Sequence, residues 1–176
     1  MRDLCKIVGK FLGLDIVQDA TTIKVSMDSY ISLMGNNFEM EESQKQSTPM
    51  MVSLYPQLVS GESDKLDETD AILYRSIIGT VLFAANCLRD VICFAVGLFS
   101  RFIQTPEKNH LSSARRILPY LIWNLLYITY GAASKVTFVG YSDSDWAGDI
   151  SDRKSVGGYM FLINGKPITW SSKKPA

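Results

Sequence analysis

The apolar positions of this chain change their spacing along its length. Near the start, residues 11–17 and 22–27 form short apolar runs joined by Gln18-Asp19-Ala20-Thr21. Their β-branched Ile16, Val17, Thr22, Ile23 and Val25 favour strands, so the two runs predict a hairpin. Asp28-Ser29 offers a cap for a short helix carrying Tyr30, Ile31, Leu33 and Met34, and Gly35-Asn36-Asn37 offers its stop. Residues 40–69 are polar and contain Thr48-Pro49 and Tyr55-Pro56, which oppose helix. This stretch is expected as a linker lying extended across a surface or moving freely.

The middle of the chain has helical spacing. Leu73, Ile77, Val81, Leu82, Ala85 and Leu88 predict one face of a first helix. Val91, Phe94, Ala95, Leu98, Phe99 and Phe102 predict a second. A third is expected after Thr105-Pro106, carrying Leu111, Ala114, Ile117, Leu118, Leu121 and Leu125. Apolar stripes of this width bury against one another, which predicts a three-helix unit. Past residue 134 the alternation returns, and 135–142, 156–163 and 167–172 read as strands. Ile163-Asn164-Gly165-Lys166 supplies an Asn-Gly hairpin turn. The predicted organisation is α+β. Residues 1–39 hold the hairpin and helix, 40–69 the linker, 70–130 the helices and 135–176 an antiparallel sheet.

An apolar fraction of 47% in 176 residues can fill a core, and this argues against global disorder. Lys and Arg together number 18, as do Asp and Glu. With no net charge, any grip on a phosphate backbone has to come from a local patch. Lys108, His110, Arg115 and Arg116 are the candidates, against the plainer reading of a solvated helix face. Cys5, Cys87 and Cys93 form no CxxC pair, which fits reduced thiols inside a cell, in cytoplasm or nucleus. Cys87 and Cys93 are expected to be buried as small apolar residues. The single histidine, His110, is expected at a surface or a helix start rather than in a metal site. The apolar stretch Ile77 to Phe99 is interrupted by Asn86, Arg89 and Asp90. Each half is shorter than the ~20 residues that span a bilayer, so buried helices are expected, with a small membrane-associated protein as the alternative. Met1 is followed by Arg2-Asp3, which does not read as a signal peptide.

The most specific segment is Gly140-Tyr141-Ser142-Asp143-Ser144-Asp145-Trp146-Ala147-Gly148-Asp149. Asp152-Arg153-Lys154-Ser155, Gly158-Tyr159 and Trp170-Ser171-Ser172-Lys173-Lys174 follow it. The order and spacing resemble the start of the ribonuclease H domain in copia-type LTR retrotransposon polyproteins. Upstream, Tyr74-Arg75-Ser76-Ile77-Ile78-Gly79, Ala95 to Phe102, and Arg115-Arg116-Ile117-Leu118 are similar to further stations of that family. So are Met1-Arg2-Asp3-Leu4 and Phe11-Leu12-Gly13-Leu14-Asp15-Ile16.

The resemblance implies a chain running from the tail of a reverse transcriptase into ribonuclease H. The helices would be thumb- or connection-like, and the last strands would be an incomplete antiparallel ribonuclease H-like sheet. Asp143 would be the first metal-bridging acid of a site that holds Mg²⁺ in the intact family, where two ions activate water and stabilise the leaving oxygen. Strand alternation would put Asp143 and Asp145 on one face, while Asp149 and Asp152 read as turn or capping residues. The family's next acid lies in a Ser-Ser-Thr-Glu-Ala-Glu segment, and its polymerase acids lie in Tyr-Val-Asp-Asp. Neither is found between Met1 and Ala176. The expectation is therefore a Pol remnant with no catalytic activity, no cofactor and a vestigial Asp143. It would bind RNA or DNA weakly at most and make no stable membrane insertion. A retained nucleic-acid or protein interaction module is the alternative.

Pro119 interrupts the third helical pattern where the family has arginine. An interior proline costs ~3 kcal/mol or more, so a kink or a fresh helix start is expected there. Arginine in its place is expected to raise stability.

Overall fold

A computed structural model describes residues 7–174 except 41, 52, 54, 56–62, 89, 133–134, 147 and 150–151. Its elements, in chain order, are β1 (Ile7–Phe11), β2 (Leu14–Gln18), β3 (Thr22–Ser26), α1 (Asp28–Asn37), α2 (Glu68–Cys87), a 3₁₀ turn (Asp90–Ile92), α3 (Cys93–Ser100), α4 (Lys108–Arg115), α5 (Ile117–Trp123), β4 (Tyr127–Gly131), β5 (Phe138–Ser144), β6 (Gly157–Ile163) and β7 (Lys166–Lys173). The class is α+β. Cys5, Met1-Arg2-Asp3-Leu4 and Arg89 fall outside the described residues.

The first sheet has the antiparallel order β1-β2-β3-β4. The predicted hairpin is β2–β3, closed by Asp19. One carboxylate oxygen of Asp19 accepts from the amides of Thr21 and Thr22 at 2.8 and 2.7 Å, and the other from the Thr22 hydroxyl at 2.7 Å. The apolar run 11–17 is not one strand. Leu12 and Gly13, at φ 47 and 77, turn the chain between β1 and β2. Positive φ at both central residues is the turn that matches strand twist, and only the glycine signals it in the sequence. β4 was not foreseen either. It brings Tyr127–Gly131 back onto β3, pairing Val25 with Ile128.

Asp28 does not cap α1, whose N-cap is Met27. Asp15 of β2 does so from outside, accepting from the Ser29 amide and hydroxyl, both at 2.8 Å. α1 ends at Asn37, within the expected Gly35-Asn36-Asn37 stop, while Gly35 itself is buried inside the helix with Ile122 packed over it.

α2 is the central element. Asp67 caps it by accepting from the Asp70 amide at 2.8 Å. Tyr74, Ile77, Ile78, Val81, Ala84 and Ala85 are buried along it. The core they share takes Ile31 and Met34 from α1, Val96 and Phe99 from α3, and Leu111, Ile117 and Leu118 from α4 and α5. Four of the expected core residues differ: Leu82, Val91, Phe94 and Leu125 are each more than two-fifths exposed. The 3₁₀ turn before α3 rotates the second stripe relative to a continuous helix, leaving Val91 and Phe94 outward.

The third helical pattern divides. α4 ends at Arg115 and α5 begins at Ile117, so Pro119 lies in the first turn of α5, where its missing N–H is one of the unpaired helix-start donors. The ring is buried, and Leu125 lies beyond the helix and is exposed. Of the two expected outcomes at Pro119, the fresh start is the one found. Residues of the 40–69 connection lie against this pair of helices. The Trp123 indole donates to the Ser43 carbonyl at 2.8 Å, and Met50 is buried in the core.

The second sheet is the antiparallel meander β5-β6-β7. Asn164 and Gly165, at φ 48 and 73, make the β6–β7 turn. β7 faces the helices. The Trp170 indole N–H donates to the Ala85 carbonyl at 2.8 Å, and the Ser172 carbonyl lies close to Gly97. Tyr130 of β4 donates to the Pro167 carbonyl at 2.6 Å and so ties the two sheets together.

Candidate functional site

The acidic segment begins on β5 and leaves it at Ser144. Asp143 is exposed, and its carboxylate accepts from the amide of the next residue, Ser144, at 2.8 Å. Asp145 lies just past the strand. Its amide donates to the Val156 carbonyl at 3.2 Å, and its carboxylate accepts from the Val156 amide at 2.5 Å. That reciprocal pair clips the two ends of the β5–β6 loop together. Gly148 packs over the same carboxylate so closely that a Cβ would collide with it. Asp145 is thus a loop-closing residue.

Asp152 fits the turn role expected of it. It accepts from the Lys154 amide at 3.1 Å and from the Lys174 ammonium at 2.6 Å. The Lys174 bond holds its pKa below the usual carboxylate range against some desolvation. Asp149 takes the expected turn role through its backbone, accepting from the Arg153 amide at 2.8 Å and donating to the Lys154 carbonyl at 3.2 Å, but its side chain does more. Its side chain is fully buried, lying 2.5 Å from the Arg101 guanidinium and 2.9 Å from the Lys174 ammonium. Partial burial would lower the Lys174 pKa, but the Asp152 and Asp149 bonds outweigh it and raise it. Arg101 comes from the end of α3 and Lys174 from the end of β7, so one carboxylate joins helix, loop and sheet. Nothing in the local pattern distinguishes Asp149 from its acidic neighbours. The signal is distant, in Arg101 and Lys174.

This donor set does not fit a metal pair. A two-ion site needs carboxylates from separate elements converging on one point. Here Asp145, Asp149 and Asp152 are spent on protein groups, and Asp143 stands at the strand end. Among the described residues no three His, Cys, Asp or Glu side chains gather as a metal site requires.

The basic candidates separate as well. Lys108 and Arg115 are exposed, two turns apart on α4. Lys108 is held at 2.9 Å by Asp64, whose hydrogen bond, and then its charge, raise the Lys108 pKa. Arg116 turns away to the connection, bonding the Thr48 carbonyl at 3.1 Å and its hydroxyl at 3.2 Å. His110 is at a helix start but not at the surface. It is buried, stacks on Phe102 at 4.0 Å between ring centres, and accepts from the Glu107 amide at 3.0 Å. It therefore belongs to the α4 cap and the core. Cys87 and Cys93 are only half-buried, and burial pushes both thiols up in pKa. No helix among the described residues is long and apolar enough to cross a membrane.

No protein-family model matches the chain, and no solved structure matches it. Curated proteins do. The chain is similar to the putative transposon Ty5-1 protein of Saccharomyces cerevisiae, with 38% identity over 176 residues, covering 99% of this chain and 56% of that protein. It is similar to the retrovirus-related Pol polyprotein from transposon TNT 1-94 of Nicotiana tabacum, with 33% identity over 168 residues, 93% of this chain and 13% of the polyprotein. A shorter match, 37% over 102 residues, covers 57% of this chain and 72% of the secreted RxLR effector protein 161 of Plasmopara viticola. The chain thus spans about half the length of the yeast relative and a small part of the tobacco one. Motif order along the chain and similarity over nearly all of it agree: the chain belongs to the family of Pol polyproteins from copia-type LTR retrotransposons.

Proposed function

We propose that this chain corresponds to the end of the reverse transcriptase region and the opening strands of the ribonuclease H region of such a polyprotein, and that as a 176-residue chain it does not hydrolyse nucleic acid. The observation that carries the second statement is the engagement of the acids. Asp145 closes its loop, Asp149 and Asp152 are bound by cations, and the Asp143 carboxylate caps the next amide. A lone exposed carboxylate neither fixes two ions nor aligns a water. Pol ancestry is preferred to an effector-like role because the polyprotein matches run over more of the chain than the effector match does.

Binding to RNA or DNA would be weak and independent of sequence. It would rest on Arg115 and on Lys108, whose charge Asp64 already offsets. Such contacts would fade as salt rises, since they gain chiefly from counterion release.

Purified chain incubated with a labelled RNA–DNA hybrid and Mg²⁺ or Mn²⁺, beside an Asp143→Asn variant, tests the reading. No cleavage by either protein is expected. Cleavage by the parent that the variant loses would overturn it.

A further inference from the structure

The chain has one histidine, His110, and histidine is the side chain whose charge ordinarily changes between about pH 5 and 8. It is the third residue of α4 and is 1% exposed. Its Nδ1 accepts from the Glu107 amide at 3.0 Å, and the Glu107 side chain answers by accepting from the His110 amide. Glutamate or glutamine ordinarily fills that third position of a reciprocal cap. An imidazole in their place makes the cap depend on a proton. A ring whose Nδ1 accepts is neutral and carries its proton on Nε2. Nδ1 is then the only place for a second proton, and once protonated it is a donor facing another donor, the Glu107 amide.

The same helix start holds the end of the connection. The Ser63 amide donates to the Glu107 carboxylate at 3.2 Å, the Lys108 amide to the Asp64 carbonyl at 2.9 Å, and the Leu66 amide to the Pro106 carbonyl at 3.1 Å. Lys65 bridges to Glu107 along the backbone. The next residue, Asp67, caps α2. The starts of α2 and α4 are therefore joined through Glu107, which His110 holds in place.

Charges of both signs surround the ring, and most are engaged. Glu107 is the nearest carboxylate, and it already accepts from the Ser63 and His110 amides. Asp64 of the connection is paired with Lys108, and Lys65 follows it. From α2 come the Tyr74 phenol, bonded to the Phe99 carbonyl, Arg75, bonded to Glu68 and the Ile103 carbonyl, and Asp70, whose charge reaches Lys108. After α3, Phe102 stacks on the imidazole, and Arg101 lies 5.7 Å from the Phe102 ring. The phenyl face favours a cation, but an enclosed charge without an unoccupied counter-ion is costly.

We propose that His110 is an acid-sensitive latch: a proton gained at Nδ1 breaks its bond to Glu107, opens the start of α4 and releases residues 63–66 from it. The open form takes the proton and the closed form resists it, so opening grows as pH falls. A solvated imidazole is protonated near pH ~6.5. The contribution of the cap is therefore present above that pH and is lost below it, with opening favoured by up to about tenfold for each further pH unit.

Amide exchange of the full chain, corrected for the intrinsic effect of pH, reads the latch at Ser63 and Glu107. Between about pH 7.5 and about pH 5.5, opening at these amides is expected to grow about tenfold. His110→Gln keeps an acceptor at the cap and does not titrate, so its opening is expected to stay constant over that range. No growth in the parent would overturn the proposal, as would equal growth in both proteins. Should His110→Gln fail to fold, the parent still decides. Its single imidazole gives one Cε1–H resonance, which reports the proton directly. Titration of that resonance in step with loss of protection at Ser63 and Glu107 is expected. Titration with both amides still protected would overturn the latch.

Discussion

The indole N–H of Trp170 donates to the main-chain carbonyl of Ala85 at 2.8 Å. Ala85 is in the last turn of α2, where carbonyls lack helical partners, and the Cys93 thiol lies 3.5 Å from the same oxygen. A single helix-end acceptor therefore orients the meander against the helices. Trp170→Phe keeps most of the packing and deletes the donor. A loss of about 1–2 kcal/mol is expected, the cost of a half-buried acceptor stripped of its main partner. Urea denaturation measures it. Amide exchange should quicken in β7 before it does in α2, and an unchanged midpoint would mean that packing alone seats the sheet.

Asp149→Asn is expected to be more damaging than Asp143→Asn, although the acids occupy the same motif. Asparagine at 149 leaves the Arg101 and Lys174 charges facing a neutral group in a site whose acceptor is fully buried. A cost of about 2–4 kcal/mol is expected. It falls short of the loss for a fully enclosed pair, because both cations reach solvent at one side. Asp143→Asn should stay within about 0.5 kcal/mol, as an exposed substitution does. Equal effects in thermal and chemical denaturation would contradict the contrast.

Acid should act in part through Asp19. Hydrogen bonds from Thr21 and Thr22 depress its pKa to about 2. A carboxylate with a folded pKa below its unfolded value stabilises the fold above the unfolded pKa, near 4, and loses that contribution as pH falls toward the folded value. Asp19→Asn should therefore flatten the decline in stability between these limits. Parent and variant should converge at the acid end. A constant offset between the two curves at every pH would exclude a proton-linked role.

Pro119→Arg, which the sequence comparison with the family favours, is expected to lower stability. The ring is buried in the first turn of α5, a position that needs no amide. Arginine there has to displace a packed group and carry its charge outward. About 1–3 kcal/mol is the expected loss, with Pro119→Ala in between. A higher melting temperature for Pro119→Arg would mean that the proline strains the α4–α5 join.

Much of the architecture was readable because it depends on near neighbours. The Asn164-Gly165 turn marked the β6–β7 hairpin and its first pairs, up to the bulge at Phe161/Leu162, and the stripe through Ile77 and Val81 marked the buried side of α2. What escaped reading depends on residues far away in sequence. Leu12-Gly13 looks like the interior of an apolar run, and the Leu12 side of the turn carries no glycine to mark it. Tyr127–Gly131 has a strand's composition but follows a helical stripe, and its partner β3 lies far back along the sequence. Within the acidic motif, Asp143, Asp145, Asp149 and Asp152 have similar spacing and chemistry, yet they separate into an edge cap, a loop clip, a buried ion-pair centre and a turn. The separation is made by Arg101, Val156 and Lys174. Pro119 read as a helix breaker, which is correct, and as a defect, which is not, because the break coincides with a join between two helices.

The pairing of β3 with β4 bears on the order in which the chain can fold. Val25 meets Ile128 only after every helix between them has been made. Closing so long a loop is entropically costly, and contacts of this separation form late. During synthesis β1, β2 and β3 emerge before the helices and wait with one side of β3 unsatisfied until Gly131 has left the ribosome. A stop codon anywhere in α4 or α5 would make that interval permanent. Messages shortened there should therefore yield insoluble product, whereas those shortened after β4 should keep the first sheet closed.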